Sequence, residues 1–297
     1  MTISLDHVGY AAASLDALQR AFLRLGFAPT TPHELQAVAA DGRPRSLAQT
    51  SCHAVFEQGY LEFTAVAPVT PTHHLAPWLD VMPRPVILAF GCDDAESTRN
   101  ASAARGVQVG AVQEAERNVD YGALAGPARF SWYALPATLT PEALCCFVQH
   151  RNAERIFQPE VQTHPNGARA LLAVEWSVPS ARLESMRARY AAMLGVAPQP
   201  CGAQAWRFDL HAAAASRRAT TALVLRATDA AAPAADRYAA TVVIGVSDLS
   251  RARQCLRVAG VVCSESAQGV EIAAQEAAGA ALRLVVVYPR DSQISGK

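Results

Sequence analysis

The sequence predicts an α+β protein of four βαβββ modules that pair to form two half-barrel domains. Three observations lead to this prediction: an internal repeat, a glycine that ends each predicted helix, and strand-like segments that follow each glycine. A repeated order of elements is the sequence signature of a modular architecture, so the repeat carries the prediction.

The repeated unit is an apolar strand, a polar cap, an amphipathic helix and a glycine. The first copy, ISLDHVGYAAASLDALQRAFLRLGF, has Ser14 as its predicted N-cap and Asp16 in the first helical turn. A negative charge in that turn stabilises the helix dipole, and Gly26 is typical of a helix end. One apolar stripe follows at helical spacing: Leu15, Leu18, Phe22 and Leu25.

Three further copies of the unit end at Gly106, Gly195 and Gly260. Shorter strand-like segments follow each copy; in the first, SCHAVFEQGYLEFTAV indicates two strands around a tight turn at residues 57–59. A pair of ferredoxin-like βαββαβ domains is the rival interpretation. One helix per unit, with too many strands after it, argues against that rival.

The repeat also predicts the domain boundaries. Modules 1–83 and 84–150 form a first domain, residues 1–150. A polar segment with a turn-like His-Pro-Asn-Gly sequence, residues 151–167, is the predicted linker. Residues 168–290 form a second paired-module domain, and residues 291–297 are a tail.

Composition excludes several classes of protein. The 297 residues are 51% hydrophobic and 18% charged, with a formal net charge of zero, so we expect a globular protein without a nucleic-acid surface. Seven cysteines without a CxxC pair favour a reducing, cytoplasmic location over a disulfide framework. No apolar run reaches the roughly 18 residues of a membrane span. We expect a monomer or a homodimer.

Two short strand sequences carry a family resemblance. LDHVGY with its helix, and YLEF, resemble the first module of the vicinal-oxygen-chelate superfamily. The segment FVQHRN…FQPEVQTHPNGA resembles a bacterial glyoxalase-like subfamily within it. The resemblance implies that paired modules form a concave sheet around a site. Members include lyases, isomerases, ring-cleaving dioxygenases and binding proteins, so the fold alone does not decide the function.

In that superfamily, metal ligands come from the first and last strands of each module. The resemblance therefore implies metal-ligand roles for His7, on the first strand, and for Glu62, in YLEF. Glu62 is also a candidate catalytic base for a C–H beside a carbonyl. At the corresponding place in the second module, Ala89 replaces the histidine.

The last strand of the second module leaves two alternatives open. Gln149 aligns roughly with Glu62, and His150 is next to it, so strand alternation turns only one of them inward. If His150 faces inward, it completes a set of two histidines and a carboxylate with His7 and Glu62. Such a set would hold Zn, Ni, Fe or Mn.

Other residues are candidates for contact with a small-molecule ligand: His53, Tyr60, Arg129, Trp132, Gln149 and His164. Aromatic rings with an arginine would bind an organic anion by stacking and charge-assisted hydrogen bonds. His73 and His74 are interpreted as loop residues. Ala173 stands at the place of His7 in the third module, so the second domain is interpreted as degenerate.

Two functions remain open at this point. One is a metal-dependent lyase, isomerase or dioxygenase acting on a small oxygenated organic molecule. The other is a metal-free protein that binds and sequesters a small molecule.

Overall fold

A computed structural model of the chain contains the four predicted βαβββ modules. The structure describes residues 2–39, 41–80, 83–211, 220–229 and 238–287. The first two modules comprise, in order, β1 (Ile3–Ala11), α1 (Leu15–Arg24), β2 (His33–Val38), β3 (Pro44–Val55), β4 (Tyr60–Val66), β5 (Arg84–Cys92), α2 (Ala95–Ala104), β6 (Gln113–Val119), β7 (Gly126–Ala134) and β8 (Leu144–His150).

The third and fourth modules repeat the same order of elements. They comprise β9 (Ala168–Pro179), α3 (Ser180–Leu194), β10 (Gln199–Pro200), β11 (Ala205–Leu210), β12 (Thr221–Thr228), β13 (Ala239–Val246), α4 (Leu249–Val258), β14 (Cys263–Ser266), β15 (Gly269–Ile272) and β16 (Ala281–Val286). Short 3₁₀ helices lie at Ala76–Trp78, Ala153–Arg155 and Pro159–Val161.

The helices begin and end where the sequence predicts. Ser14 caps α1 by accepting a hydrogen bond from the backbone N–H of Ala17, and Asp94 caps α2 in the same way. Gly26, after α1, adopts a φ of 82°. The chain therefore leaves α1 through a left-handed backbone conformation, which glycine adopts without a steric penalty.

Modules one and two form a closed barrel with the strand order β1-β4-β3-β2-β6-β7-β8-β5. Two seams join the modules. At one seam β1 runs antiparallel to β5, with His7 opposite Ala89; at the other, β2 pairs with β6, with Gln36 opposite Glu116. The second seam closes the barrel beyond the predicted half-barrel, so these strands have no free edge.

Modules three and four form an open eight-stranded sheet in the order β10-β11-β12-β9-β13-β16-β15-β14. The mixed α+β class and the paired modules are therefore confirmed. The domain boundaries stay a prediction, and the predicted tail, residues 291–297, lies outside the described residues. In the described part of the chain, none of the helices has the length and apolar character needed to cross a membrane.

The barrel and the open sheet share one apolar core, which contains residues from both. Hydrogen bonds also cross between them: the backbone N–H of Leu5 donates to Thr221 Oγ1 at 2.9 Å. Glu142, fully buried, accepts from the Tyr190 hydroxyl at 2.7 Å and from Arg189 at 2.6 Å. The two halves of the chain are thus held by both apolar and polar contacts.

Gly59 lies where the β3–β4 turn meets the second half of the chain. Its φ is 72°, and a Cβ there would lie 2.8 Å from the carbonyl oxygen of Asp6 and 3.0 Å from Leu171 Cβ. Gly106 has a similar φ of 81° but open space around it. A comparison of substitutions at Gly59 and Gly106 therefore separates the effect of a left-handed backbone on stability from the effect of a close contact with neighbouring atoms.

We expect Gly59→Ala to lower the free energy of unfolding by about 1–3 kcal/mol more than Gly106→Ala, because only the first adds an overpacked contact. Both substitutions carry the cost of about 1–2 kcal/mol for a left-handed alanine. Urea unfolding followed by circular dichroism measures the difference. Equal losses in the two variants would contradict the close approach.

Candidate functional site

The closed barrel encloses a cavity that is open to solvent on one side. A concave, mostly apolar cavity with a few polar side chains is typical of sites that bind small organic molecules. The side chains that line it come from both modules: His7, His33, Leu35, Gln49, Ser51, His53, Tyr60, Glu62, His74, Ile87, Arg117, Phe130, Trp132, Leu144, Cys146, Val148, His150 and Ile156.

An irregularity in β1 brings two neighbouring side chains into contact. The pairing of β1 with β5 shifts register between Leu5 and His7. Such a shift disturbs the strict alternation of faces along a strand. Asp6 and His7 are both buried, and Asp6 Oδ2 lies 2.8 Å from His7 Nδ1. With this nitrogen donating to the carboxylate, the other ring nitrogen of His7, Nε2, is left for the cavity.

Glu62 lies on β4 beside His7. Its Oε2 is 3.4 Å from His7 Nε2, while its Oε1 accepts hydrogen bonds from Gln49 at 2.9 Å and Ser51 at 2.7 Å. Tyr60, two residues earlier on the same strand, stacks on the His7 ring with the centroids 4.5 Å apart. One oxygen of the buried carboxylate is therefore held by neutral donors, and the other faces the histidine.

His150, and not Gln149, faces the cavity. His150 Nε2 lies 3.0 Å from Asp6 Oδ1, and its Nδ1 is buried without a hydrogen-bond partner. Gln149 points out of the barrel and accepts a hydrogen bond from the backbone N–H of Ala95, at the start of α2. The prediction that Gln149 contacts a ligand in the cavity is therefore wrong, because strand alternation places its side chain on the outer face of the barrel.

The strand register corrects the alignment of the two modules. Glu62 pairs with Gly9 on β1, and the residue that pairs with Gly91 on β5 is Val148. Val148, rather than Gln149, is therefore the counterpart of Glu62 in the second module. The counterparts of His7 and Glu62 are then both apolar, Ala89 and Val148.

The side chains expected to bind a metal ion do not come together as a three-ligand set. Among the described residues, no group of three or more His, Cys, Asp or Glu side chains has the geometry to hold one. His7 Nε2 and Glu62 Oε2 lie together, but His150 Nε2 is engaged by Asp6. Structural and catalytic metal sites commonly use at least three protein ligands. The residues present therefore do not fit the metal set expected from the sequence.

Burial and neighbouring charges perturb the acid–base groups of the cavity. Burial opposes ionisation of Asp6, but the charges and hydrogen bonds of His150 and His7 outweigh it and hold the pKa of this carboxyl well below its ordinary value. Burial, with the nearby positive charge of Arg117, holds the pKa of His53 well below its ordinary value. Asp6 is therefore an anion and His53 a neutral ring near neutral pH.

Arg117, on β6, is the cation of the cavity. Its guanidinium contacts the His53 ring and lies over the Tyr60 ring, 5.5 Å from the centroid. Only 8% of the residue is exposed, and its Nη2 has no hydrogen-bond partner. The cavity lining thus includes a cationic residue, Arg117, and an acidic residue, Glu62.

The remaining wall is mostly apolar and aromatic, with Trp132 among its large side chains. His74 packs 5.8 Å from Trp132, between ring centroids, and burial lowers its pKa to about 4. His74 lies in a loop, as expected, and its side chain also lines the cavity. Cys146 also lines the cavity, and burial raises its thiol pKa well above the ordinary value.

Two other residues expected at the cavity lie elsewhere. Arg129 is on the outer face of β7, largely exposed, and pairs with Glu116 at 3.1 Å. His164 is buried outside the cavity, where Nδ1 accepts from the Ala28 backbone and Nε2 donates to the Val55 carbonyl. His164 is a structural residue that ties the linker to the barrel.

Several polar residues of the cavity were not predicted from the sequence, among them Gln49, Ser51 and Arg117. Gln49 and Ser51 lie at alternate positions of β3, so strand alternation was the signal that could have found them. The same signal exists for Arg117, which shares the buried face of β6 with Ala115 and Val119.

Comparison with solved structures shows the fold. A hypothetical protein from Staphylococcus aureus superposes with a TM-score of 0.64 at 10% identity, over 96% of this chain and 100% of that chain. 2,2',3-Trihydroxybiphenyl 1,2-dioxygenase from Sphingomonas wittichii strain RW1 superposes with a TM-score of 0.53 at 12% identity, over 97% and 91%. A triple mutant of 4-hydroxymandelate synthase from Streptomyces coelicolor gives 0.54 at 16% identity, over 89% and 77%.

At these identities the likeness extends to the fold alone. No curated protein matches the sequence. The family model described as a glyoxalase-like domain matches residues 5–194, which is more than half of the chain and includes all of the barrel except the first two residues of β1. The glyoxalase-like resemblance is thereby confirmed, and the chain belongs to the glyoxalase-like domain family.

Proposed function

We propose that the chain is an enzyme that binds a small organic molecule in the barrel and transfers a proton to or from it through Glu62 and His7. The observation that carries the proposal is the contact between Glu62 Oε2 and His7 Nε2, 3.4 Å apart on the cavity wall. A buried carboxylate beside an oriented imidazole is a common arrangement for general acid–base catalysis.

Asp6 supports this role by fixing the orientation of His7. Because His7 Nδ1 donates to Asp6, its Nε2 and the Glu62 carboxylate attract each other only when they share a proton. A C–H proton taken up by Glu62 Oε2 thus has an adjacent acceptor at His7 Nε2. Gln49 and Ser51 hold the other oxygen of Glu62, which keeps the carboxylate in one orientation.

The free-energy cost of burying ionisable side chains also favours a catalytic role for the cavity over a purely structural one. Asp6, Glu62 and Arg117 are ionisable side chains, each at most 8% exposed, and burial of charge is unfavourable unless function or pairing offsets it. Groups of buried ionisable residues that line one cavity are typical of active sites. An apolar cavity wall would suffice for a protein that only packs two modules together.

Metal-free binding without turnover is the second candidate. It is favoured by Ala89 and Val148, which put apolar side chains at the positions equivalent to His7 and Glu62. In this case the barrel would enclose its ligand, and the polar groups of the first module would only orient it.

The proton-transfer proposal predicts exchange of carbon-bound hydrogen. We expect the protein to accelerate deuterium uptake from D₂O by at least one of a panel of small carbonyl compounds with a C–H beside the carbonyl. We expect Glu62→Gln to slow this exchange about 10²- to 10⁴-fold, because the base is lost. Proton NMR of the compounds measures the rate.

Glu116→Gln is the matched control, since Glu116 pairs with Arg129 on the outside of the barrel. Its exchange rate should equal that of the wild type, and a chelator should leave the rate unchanged. If no compound exchanges although ligands bind, the second candidate replaces the first. If elemental analysis finds stoichiometric metal and a chelator abolishes the exchange, metal-free proton transfer is contradicted.

The position of Asp6 predicts a pH-dependent contribution to stability. Its folded pKa lies below the ordinary value of 3.8, so its contribution is complete above about pH 4 and decreases as the pH falls further. We expect Asp6→Asn to lower the free energy of unfolding at pH 7 by about 3–5 kcal/mol, because both histidines lose their charged partner. Urea unfolding between pH 3 and pH 8 tests this.

Asp80→Asn is the control, because Asp80 is exposed and lies 3.7 Å from Arg84. An exposed ion pair of this kind contributes at most about 1 kcal/mol. The difference between wild type and Asp6→Asn should decrease below pH 4. A difference that stays constant down to pH 3 would mean that the pKa of Asp6 is not lowered in the folded protein.

A further inference from the structure

We propose that Arg117 binds the anionic group of the ligand, and that the ligand is a small organic carboxylate with an apolar or aromatic body. The inference deepens the proposed function and rests on it for the place of the ligand, but it concerns binding and needs no turnover. The contacts of Arg117, its missing counter-charge and the apolar character of the neighbouring wall support it.

The contacts of Arg117 leave part of its guanidinium unused. Nη1 meets the His53 ring, and the Tyr60 ring lies below the guanidinium carbon. Nη2 is buried, and among the described residues it has no hydrogen-bond partner. A buried donor left without a partner is costly, so an acceptor supplied by a ligand would be strongly bound.

The charge of Arg117 also lacks a partner. In the described part of the chain, none of the ion pairs within 4.0 Å includes Arg117. Its neighbour Glu116 pairs with Arg129, and Asp120 pairs with His33. Buried guanidinium groups are normally matched by a carboxylate or phosphate. The counter-charge is therefore expected from outside the chain.

The surroundings of Arg117 favour one anionic group of modest charge. His53 adds no second positive charge, because burial and Arg117 itself hold its pKa low. One free guanidinium nitrogen with neutral neighbours suits a monoanion, whereas a phosphate dianion commonly needs several cationic or backbone donors.

The rest of the cavity is suited to an apolar body. The wall across the second module consists of Phe130, Trp132, Leu144 and Val148, and Ile87 lies beside them. A ligand held at Arg117 would put its body against these side chains, within the cavity that also contains Glu62. The combination distinguishes an organic carboxylate from inorganic anions and from neutral apolar molecules.

The test compares anions with neutral molecules of the same shape. Benzoate and phenylacetate are titrated against benzamide and phenylacetamide by isothermal titration calorimetry, with inorganic phosphate as a further probe. We expect the wild type to bind at least one carboxylate about tenfold or more tightly than its amide, and phosphate more weakly than that carboxylate. Arg117→Gln should abolish the preference.

Arg129→Gln is the matched control, because this arginine lies on the outer face of the same barrel. It should keep the preference of the wild type. A wild type that binds neither carboxylate, that binds amides equally well, or that prefers phosphate would overturn the inference. So would an unchanged preference in Arg117→Gln.

Circular dichroism shows whether Arg117→Gln is folded. If it is not, Arg117→Lys retains the positive charge but loses the planar donor group. We then expect weaker carboxylate binding and unchanged amide binding in Arg117→Lys. Equal affinities of Arg117→Lys and wild type for the carboxylate would overturn the inference.

Discussion

The carboxylate of Asp6 connects the polar groups of the barrel interior. It accepts from His7 at 2.8 Å and from His150 at 3.0 Å, and these histidines come from different modules. The ring of His7 is thereby turned so that Nε2 meets Glu62. The orientation of the site thus depends on one residue that itself does not line the cavity.

Closure of the barrel keeps the ionisable side chains of its interior buried and away from water. Pairing of β2 with β6 completes the ring of strands and brings Arg117 of the second module against His53 of the first. The two modules then contribute unequally. The first supplies His7 and Glu62, whereas the second has apolar side chains at the equivalent positions and supplies much of the aromatic and aliphatic wall. The duplicated modules therefore form an asymmetric cavity.

The fold was predictable because it depends on local patterns, whereas the site depends on register. Residues typical of helix ends, such as Ser14 and Gly26, mark each copy of the repeat. Four copies are compatible with few architectures. The alternation rule failed at Asp6, since a register shift in β1 brings it into contact with its neighbour. The alignment of the two modules was also wrong by one residue at Gln149. The alternation of β6 places Arg117 on the buried face, but its contact with the first module follows only from closure of the barrel.

The second half of the chain contacts the turn before the strand that carries Glu62, although none of its described residues lines the cavity. The backbone N–H of Glu57 donates to the Arg169 carbonyl, and that of Leu171 donates to the Gln58 carbonyl. These bonds hold the turn between β3 and β4. The second sheet therefore has a structural role, because it helps to hold the strand on which Glu62 lies.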